Sequence, residues 1–130
     1  MVNMDKRGQS PSTAITPPLV MLDDDRYLMV YESVAAFTLD WEFPYMDEIV
    51  ALFDANAMPL RAFTVGETIF VEPTGGGAPD LERLRAIVDE FFHVWTDEPS
   101  PEHLPTATTY ARLVAERYAT APVRRRKRRL

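Results

Sequence analysis

The sequence predicts an α+β domain: a small antiparallel sheet of about four strands with two to three helices packed on one face. Three observations predict it. Between Tyr27 and Glu72, short apolar and β-branched runs are separated by turn residues, the pattern of strands joined by short connections. From Leu81 to Trp95, apolar residues step at helical spacing, and a second such stretch follows from Thr106. The composition, 46% hydrophobic and 26% charged over 130 residues, is that of one globular domain with a real core.

The elements follow in order. Residues 1–18 hold Ser, Thr, Gly, Gln and three prolines with almost no apolar period, and read as a disordered lead-in. The domain is expected to span 19–120, with 121–130 a basic tail. Asp23-Asp24-Asp25 is a polar break, and Tyr27–Glu32 reads as a strand. Ser33–Glu42 fits two patterns. Val34, Phe37 and Trp41 share a helical face behind a Ser33 cap, whereas Phe37, Leu39, Trp41 and Phe43 alternate as a strand would. Ala35-Ala36 and the stop at Pro44 favour the helix.

Glu48–Asp54, Leu60–Val65 and Thr68–Glu72 read as an antiparallel meander, with Ile49–Phe53 central or covered on both sides. Pro73 to Pro79 stops the sheet. Asp80 then caps a helix to about Trp95, whose face is Leu81, Leu84, Val88, Phe91 and Trp95. Pro101 suits a short turn. The last helix runs from Thr106 to about Ala119, with Tyr110, Leu113, Val114 and Tyr118 on one side.

The search for chemistry returns little. The absence of cysteine excludes disulfides, Cys-based zinc sites and a thiol nucleophile. Glu90-x-x-His93 has the spacing of a di-iron half-site, but no second Glu-x-x-His accompanies it. Asp23-Asp24-Asp25 lacks the alternation and glycine of a calcium loop and reads as a charged turn. Thr74-Gly75-Gly76-Gly77 precedes a helix, yet has no Lys or Ser/Thr of a phosphate loop. No Gly-x-Ser-x-Gly is present, and Asp40 and Glu42, two apart on a helix, point away from one another. Neither an enzyme, nor a metal site, nor a cofactor is expected.

Charge is the stronger signal. The formal net charge is −6, but six of the 14 Lys and Arg residues form the run Arg124, Arg125, Arg126, Lys127, Arg128 and Arg129. The remainder is strongly acidic, which repels nucleic acid and favours a basic protein partner. The tail can touch phosphates nonspecifically, and carries no aromatics for base stacking. Trp41, Phe43, Tyr45 and Met46 form an apolar cluster suited to a core or an interface. No apolar leader and no apolar stretch of membrane-spanning length appears, so a cytoplasmic protein without membrane insertion is expected. The excess of Arg over Lys suits a GC-rich bacterial genome.

Met29-Val-Tyr-Glu-Ser33-Val-Ala-Ala, then Leu39-Asp-Trp-Glu42, then Ala51-Leu-Phe-Asp54-Ala-Asn-Ala-Met-Pro-Leu60 resembles a pattern in small acidic actinobacterial proteins. In these a strand ending in Ser opens a short helix, and a strand then enters an Asp-x-x-Gly-x-x-Leu hairpin. Some of them resemble immunity proteins that neutralise polymorphic toxins. The likeness covers about a third of the chain, includes no catalytic position, and departs at Ala57, where the pattern has Gly. It implies a non-enzymatic module that masks a basic partner; from the acidic body and the aromatic cluster, Asp40, Glu42, Asp47 and Glu48 are the expected contacts and Trp41 and Tyr45 the expected anchors. The alternative is a nucleic-acid-associated accessory protein acting through Arg124–Arg129.

Overall fold

A computed structural model describes residues 15–41, 43–74 and 77–121. Positions 1–14, Glu42, Gly75, Gly76 and the tail from 122 lie outside the described residues, and with them the readings placed there. The architecture is α+β, with five strands in two antiparallel sheets and three helices. Strands β1 (Leu19–Asp23), β2 (Leu28–Tyr31) and β3 (Ile49–Phe53) form one sheet in the order β2-β1-β3. Strands β4 (Leu60–Val65) and β5 (Thr68–Pro73) form a separate hairpin. The helices are α1 (Val34–Asp40), α2 (Leu81–Trp95) and α3 (Ala107–Thr120), and a 3-10 helix covers Phe43–Glu48.

β1 is buried along its whole length and has apolar residues on both faces. Side chains alternate across a strand, so Val20 and Leu22 point one way and Leu19 and Met21 the other. Each set needs its own cover. Val20 and Leu22 join Leu28 and Phe53 in a core closed by Leu84, Val88, Phe91 and Phe92 of α2 and Tyr110 and Val114 of α3. Leu19 and Met21 join Tyr31 and Leu52 in a second core, closed by Phe37 of α1 and by Leu60, Ala62, Ile69 and Val71 of the hairpin. The expectation of helices on one face is therefore corrected. α2 and α3 cover one side of the sheet, and α1 with the β4–β5 hairpin covers the other.

Register confirms the two-sided reading. Val20 pairs with Val30 and Phe53, and Met21 with Met29 and Leu52, so each face is continuous across all three strands. The register shifts at Leu22/Asp23 and leaves Val50 as an extra residue on β3. β3 lies at the sheet edge but is covered on both sides, one of the two arrangements its sequence allows. The expected meander breaks between β3 and β4, where a single bridge joins Phe53 to Pro59. Proline has no N–H to extend a ladder, which ends the pairing there.

Local rules account for the element ends. The Ser33 hydroxyl accepts from the Ala36 N–H at 3.0 Å and starts α1, so the helical reading of this segment holds. Asp80 does the same for α2 through the Arg83 N–H at 3.0 Å. Gly66, at φ +64, opens the two-residue turn between Val65 and Thr68, which needs a left-handed residue in its first position.

The same five-residue loop is used twice. At Asp23–Tyr27, Asp23 Oδ1 accepts from the Asp25 and Tyr27 N–H groups at 2.8 and 3.0 Å, and Arg26 sits at φ 64. At Asp54–Met58, Asp54 Oδ1 accepts from the Asn56 and Met58 N–H groups at 2.8 and 3.0 Å, and Ala57 sits at φ 62. In both loops the Asp N–H donates to the carbonyl of the fifth residue and the Asp carbonyl accepts from the N–H of the fourth. Ala57 thus takes the conformation that the Gly of the resembling pattern would take, and the turn forms without it. Asp54 Oδ2 also accepts from the Thr16 N–H at 3.1 Å, and the Thr16 carbonyl accepts from Ala55. With Ile15 in the second core, residues 15–18 are packed onto the body rather than part of a loose lead-in.

Asp54 is fully buried, so its three backbone donors depend on it. Asp54→Ala leaves them without an acceptor and is expected to cost about 3 kcal/mol or more. Asp54→Asn keeps one oxygen and is expected to cost about half as much, with hydrogen exchange accelerated first at Thr16. At Ala57, a Gly substitution relieves the left-handed strain but removes a buried methyl, leaving stability within about 1 kcal/mol. Ala57→Val forces a β-branched residue into that conformation and is expected to cost about 2 kcal/mol. Urea unfolding of the four variants tests the set.

Candidate protein-binding surface

The candidate residues read from sequence divide into an inward group and an outward group. Asp40 closes α1, and one of its carboxylate oxygens accepts from the Tyr31 hydroxyl at 2.6 Å. The same hydroxyl accepts from Trp41 Nε1 at 2.8 Å. Trp41 also stacks over Phe37, with centroids 6.5 Å apart, so its ring closes the second core. Tyr31 is thus the hub that holds the end of α1 against β2. Asp40 and Trp41 are brought together through it, with Asp40 exposed at its outer end.

Tyr45 and Asp47 sit on the 3-10 helix, both exposed, and Glu48 is half-buried at its end. Glu42 lies outside the described residues, as do Arg124, Arg125, Arg126, Lys127, Arg128 and Arg129. Tyr45 is therefore turned outwards, whereas Trp41 is committed to packing.

The distribution of exposed apolar residues is asymmetric. Leu39 (86%), Tyr45 (51%), Val50 (52%), Val65 (63%) and Phe70 (44%) are the large exposed apolar side chains among the described residues. They belong to α1, the 3-10 helix, β3 and the hairpin. Neither α2 nor α3 contributes one. The same stretch of chain carries Asp40, Asp47, Glu48, Glu67 and Glu72, against Arg61 as the one cation of the described residues from Val34 to Thr74. Sequence reasoning missed Val65 and Phe70. The available signal was that β4 and β5 are apolar on both alternating sets, with Phe63, Val65 and Phe70 opposite Ala62, Ile69 and Val71.

The residues considered for chemistry are occupied with structure. Glu90 pairs with Arg26 at 3.1 Å, while His93 is exposed on α2. The carboxylates of Asp23, Asp24 and Asp25 lie within 4.8 Å of one another, but Asp23 is the acceptor that builds its own loop. Ser33 is a helix cap. His103 meets Asp89 at 2.8 Å and lies edge-on to Tyr110, pinning the connection after α2 back onto that helix. Beneath it, Arg85 donates to the Leu104 carbonyl at 2.6 Å. The Tyr110 hydroxyl is buried and has no hydrogen-bond partner among the described residues.

Two phenols are displaced upwards from their ordinary value. Burial raises Tyr31, and its bond to Asp40, which requires the phenolic proton, raises it further; the bond from Trp41 acts in the opposite direction. Burial likewise raises Tyr110, reinforced by the nearby Asp89 charge. Both groups hold their proton more tightly folded than unfolded. Their contribution to stability is complete below about pH 10, and is lost above it as the unfolded chain ionises. Of five tyrosines, two are expected to give tyrosinate absorbance only as the protein unfolds in alkali. Tyr31→Phe removes one of them and leaves Trp41 Nε1 without its acceptor, at an expected cost of about 1–2 kcal/mol. Spectrophotometric titration and urea unfolding check both outcomes.

No family model matches the chain, nor does any curated protein or solved structure.

Proposed function

We propose that this protein is a non-enzymatic, acidic protein-binding module of immunity-protein type, which masks a basic surface on its partner. The observation that supports the reading is the coincidence of exposed apolar groups and unbalanced acidic charge on one layer. Tyr45 and Leu39 supply apolar anchors, and Asp40, Asp47 and Glu48 supply a charged rim. Interfaces of moderate affinity combine these features: an apolar centre excludes water, and surrounding charge steers the partner. The described cations are few beside the described acids. They are Arg26, Arg61, Arg83, Arg85, Arg112 and Arg117, of which Arg26 and Arg61 are already in ion pairs.

Affinity capture from the native host with the full chain is expected to recover a basic protein in stoichiometric amount, with recovery falling as salt rises. The double change Asp40→Asn and Asp47→Asn is expected to slow association by about tenfold and to flatten the salt dependence, with little change in dissociation. Binding kinetics at two salt concentrations would measure this. A chain that emerges alone at low salt, or a partner whose binding ignores salt, would overturn the reading.

A further inference from the structure

The outer face of the β4–β5 hairpin carries a built arrangement that α1 and the 3-10 helix lack. Phe63 and Phe70 pair across the strands and stack, with centroids 5.7 Å apart and planes at 26°. Arg61 and Glu72 pair beside them, on the same face and two residues along each strand. The Arg61 guanidinium lies 4.6 Å from the Phe63 ring centroid; its Nε donates to Glu72 Oε2 at 2.6 Å, and its Nη2 forms an ion pair with the same oxygen at 2.5 Å. The chain therefore shows on its own surface how this face receives a guanidinium: flat on an aromatic ring, with a carboxylate at its edge.

The arrangement is only half used. Both contacts from Arg61 fall on Oε2, and a carboxylate offers about four lone-pair sites over its two oxygens. Phe70 stands next to Phe63 and is more open, and Glu72 follows it on the same face. Val65 extends the apolar surface towards the turn, and Glu67 in the turn adds an exposed acid. We infer that this face binds an arginine-rich segment of the basic partner. One partner arginine stacks on Phe70 and takes the Oε1 side of Glu72, in register with resident Arg61. The inference rests on the functional reading above and names the partner chemistry that reading leaves open. Arginine is favoured over lysine because a planar guanidinium can stack and bond a carboxylate together, whereas an ammonium acts as a point charge.

The test is amide-resolved NMR of the full chain, titrated separately with an arginine homopeptide and a lysine homopeptide of equal length. The arginine peptide is expected to shift Phe63, Phe70 and Glu72 and to bind about tenfold more tightly than the lysine peptide. Phe70→Leu retains an apolar side chain without a ring face, and Glu72→Gln retains shape without charge. Each is expected to abolish the preference for arginine while leaving the urea midpoint close to that of the parent. An unchanged preference in both variants overturns the proposal, as do shifts confined to Asp40 and Asp47. Shifts at the hairpin on dilution alone, or on deletion of residues 124–130 alone, would assign the face to a second copy or to the tail and also overturn it. If the wild-type chain captures a basic protein from the host and Phe70→Leu captures it equally, this inference falls while the broader function stands.

Discussion

β1 imposes the constraint on which the rest of the molecule depends. A strand buried at all five positions cannot belong to a two-layer fold, because its alternating side chains require apolar cover on two sides. The two cores follow from it. Each of its neighbours continues both faces, and each face collects a different set of elements. The division of labour is unequal. The α2–α3 side receives two long helices with large rings, among them Phe91, Phe92 and Tyr110. The other side receives a helix of seven residues and a two-stranded hairpin, with less apolar area to close it. A thin layer of this kind leaves apolar groups outside as well as inside, and that is where Leu39, Tyr45, Val65 and Phe70 are found.

Joining these layers falls to the Asp54 loop. It carries the chain from β3 in the three-stranded sheet to β4 in the hairpin, where a proline prevents continuous pairing. A loop at such a junction cannot rely on a ladder for its hydrogen bonds. The buried carboxylate supplies the acceptors instead, for Asn56 and Met58 within the loop and for Thr16 outside it. The Ala57 carbonyl accepts from Asp80 at the start of α2, so the same loop also fixes where the next helix begins. The Asp23 loop has the same internal bonds but a different burden. It closes an ordinary hairpin, and its Asp25 carbonyl accepts from Trp95 Nε1 at 3.3 Å across the first core.

Much of this was legible in the chain, and the reasons for the rest are specific. Ser33, Asp80 and Gly66 act locally, through caps and a turn whose geometry depends on a few neighbouring residues. The helical face from Leu81 to Trp95 is long enough for its period to be unambiguous. β1 was not legible, because Leu19-Val-Met-Leu22 is too short for a period and stands between prolines and acids. The break at Pro59 was also hidden, since proline is tolerated at strand ends and only the partner strand decides what is lost. The weight carried by Asp54 depends on Thr16, 38 residues away. At the surface, alternation placed Phe63 and Phe70 on one face, but which face meets solvent is settled by the packing of Ala62 and Val71 on β1's neighbours. Trp41 shows the converse. Its sequence surroundings suit an exposed anchor, and its indole is turned inwards by a hydrogen bond to Tyr31, ten residues earlier.

The charge pattern gains meaning from this asymmetry. An average of −6 describes a mixture, but among the described residues acids occur on all three helices and the hairpin while the large exposed apolar groups fall between α1 and β5 and none on α2 or α3. Uniform acidity alone gives solubility and weak steering, and a bare apolar layer alone invites self-association. Placed together they oppose one another for a second copy of this chain, since like charges meet as the apolar groups approach, and they cooperate for a partner of opposite charge. Arg61 fits the same logic. By occupying part of the Phe63–Glu72 site it reduces the apolar and anionic surface left open in the free protein, while the neighbouring Phe70 keeps the guanidinium-receiving geometry available. On charge grounds, the layer least well covered by its own chain is thereby a poorer match for a second copy of itself than for a surface of opposite charge.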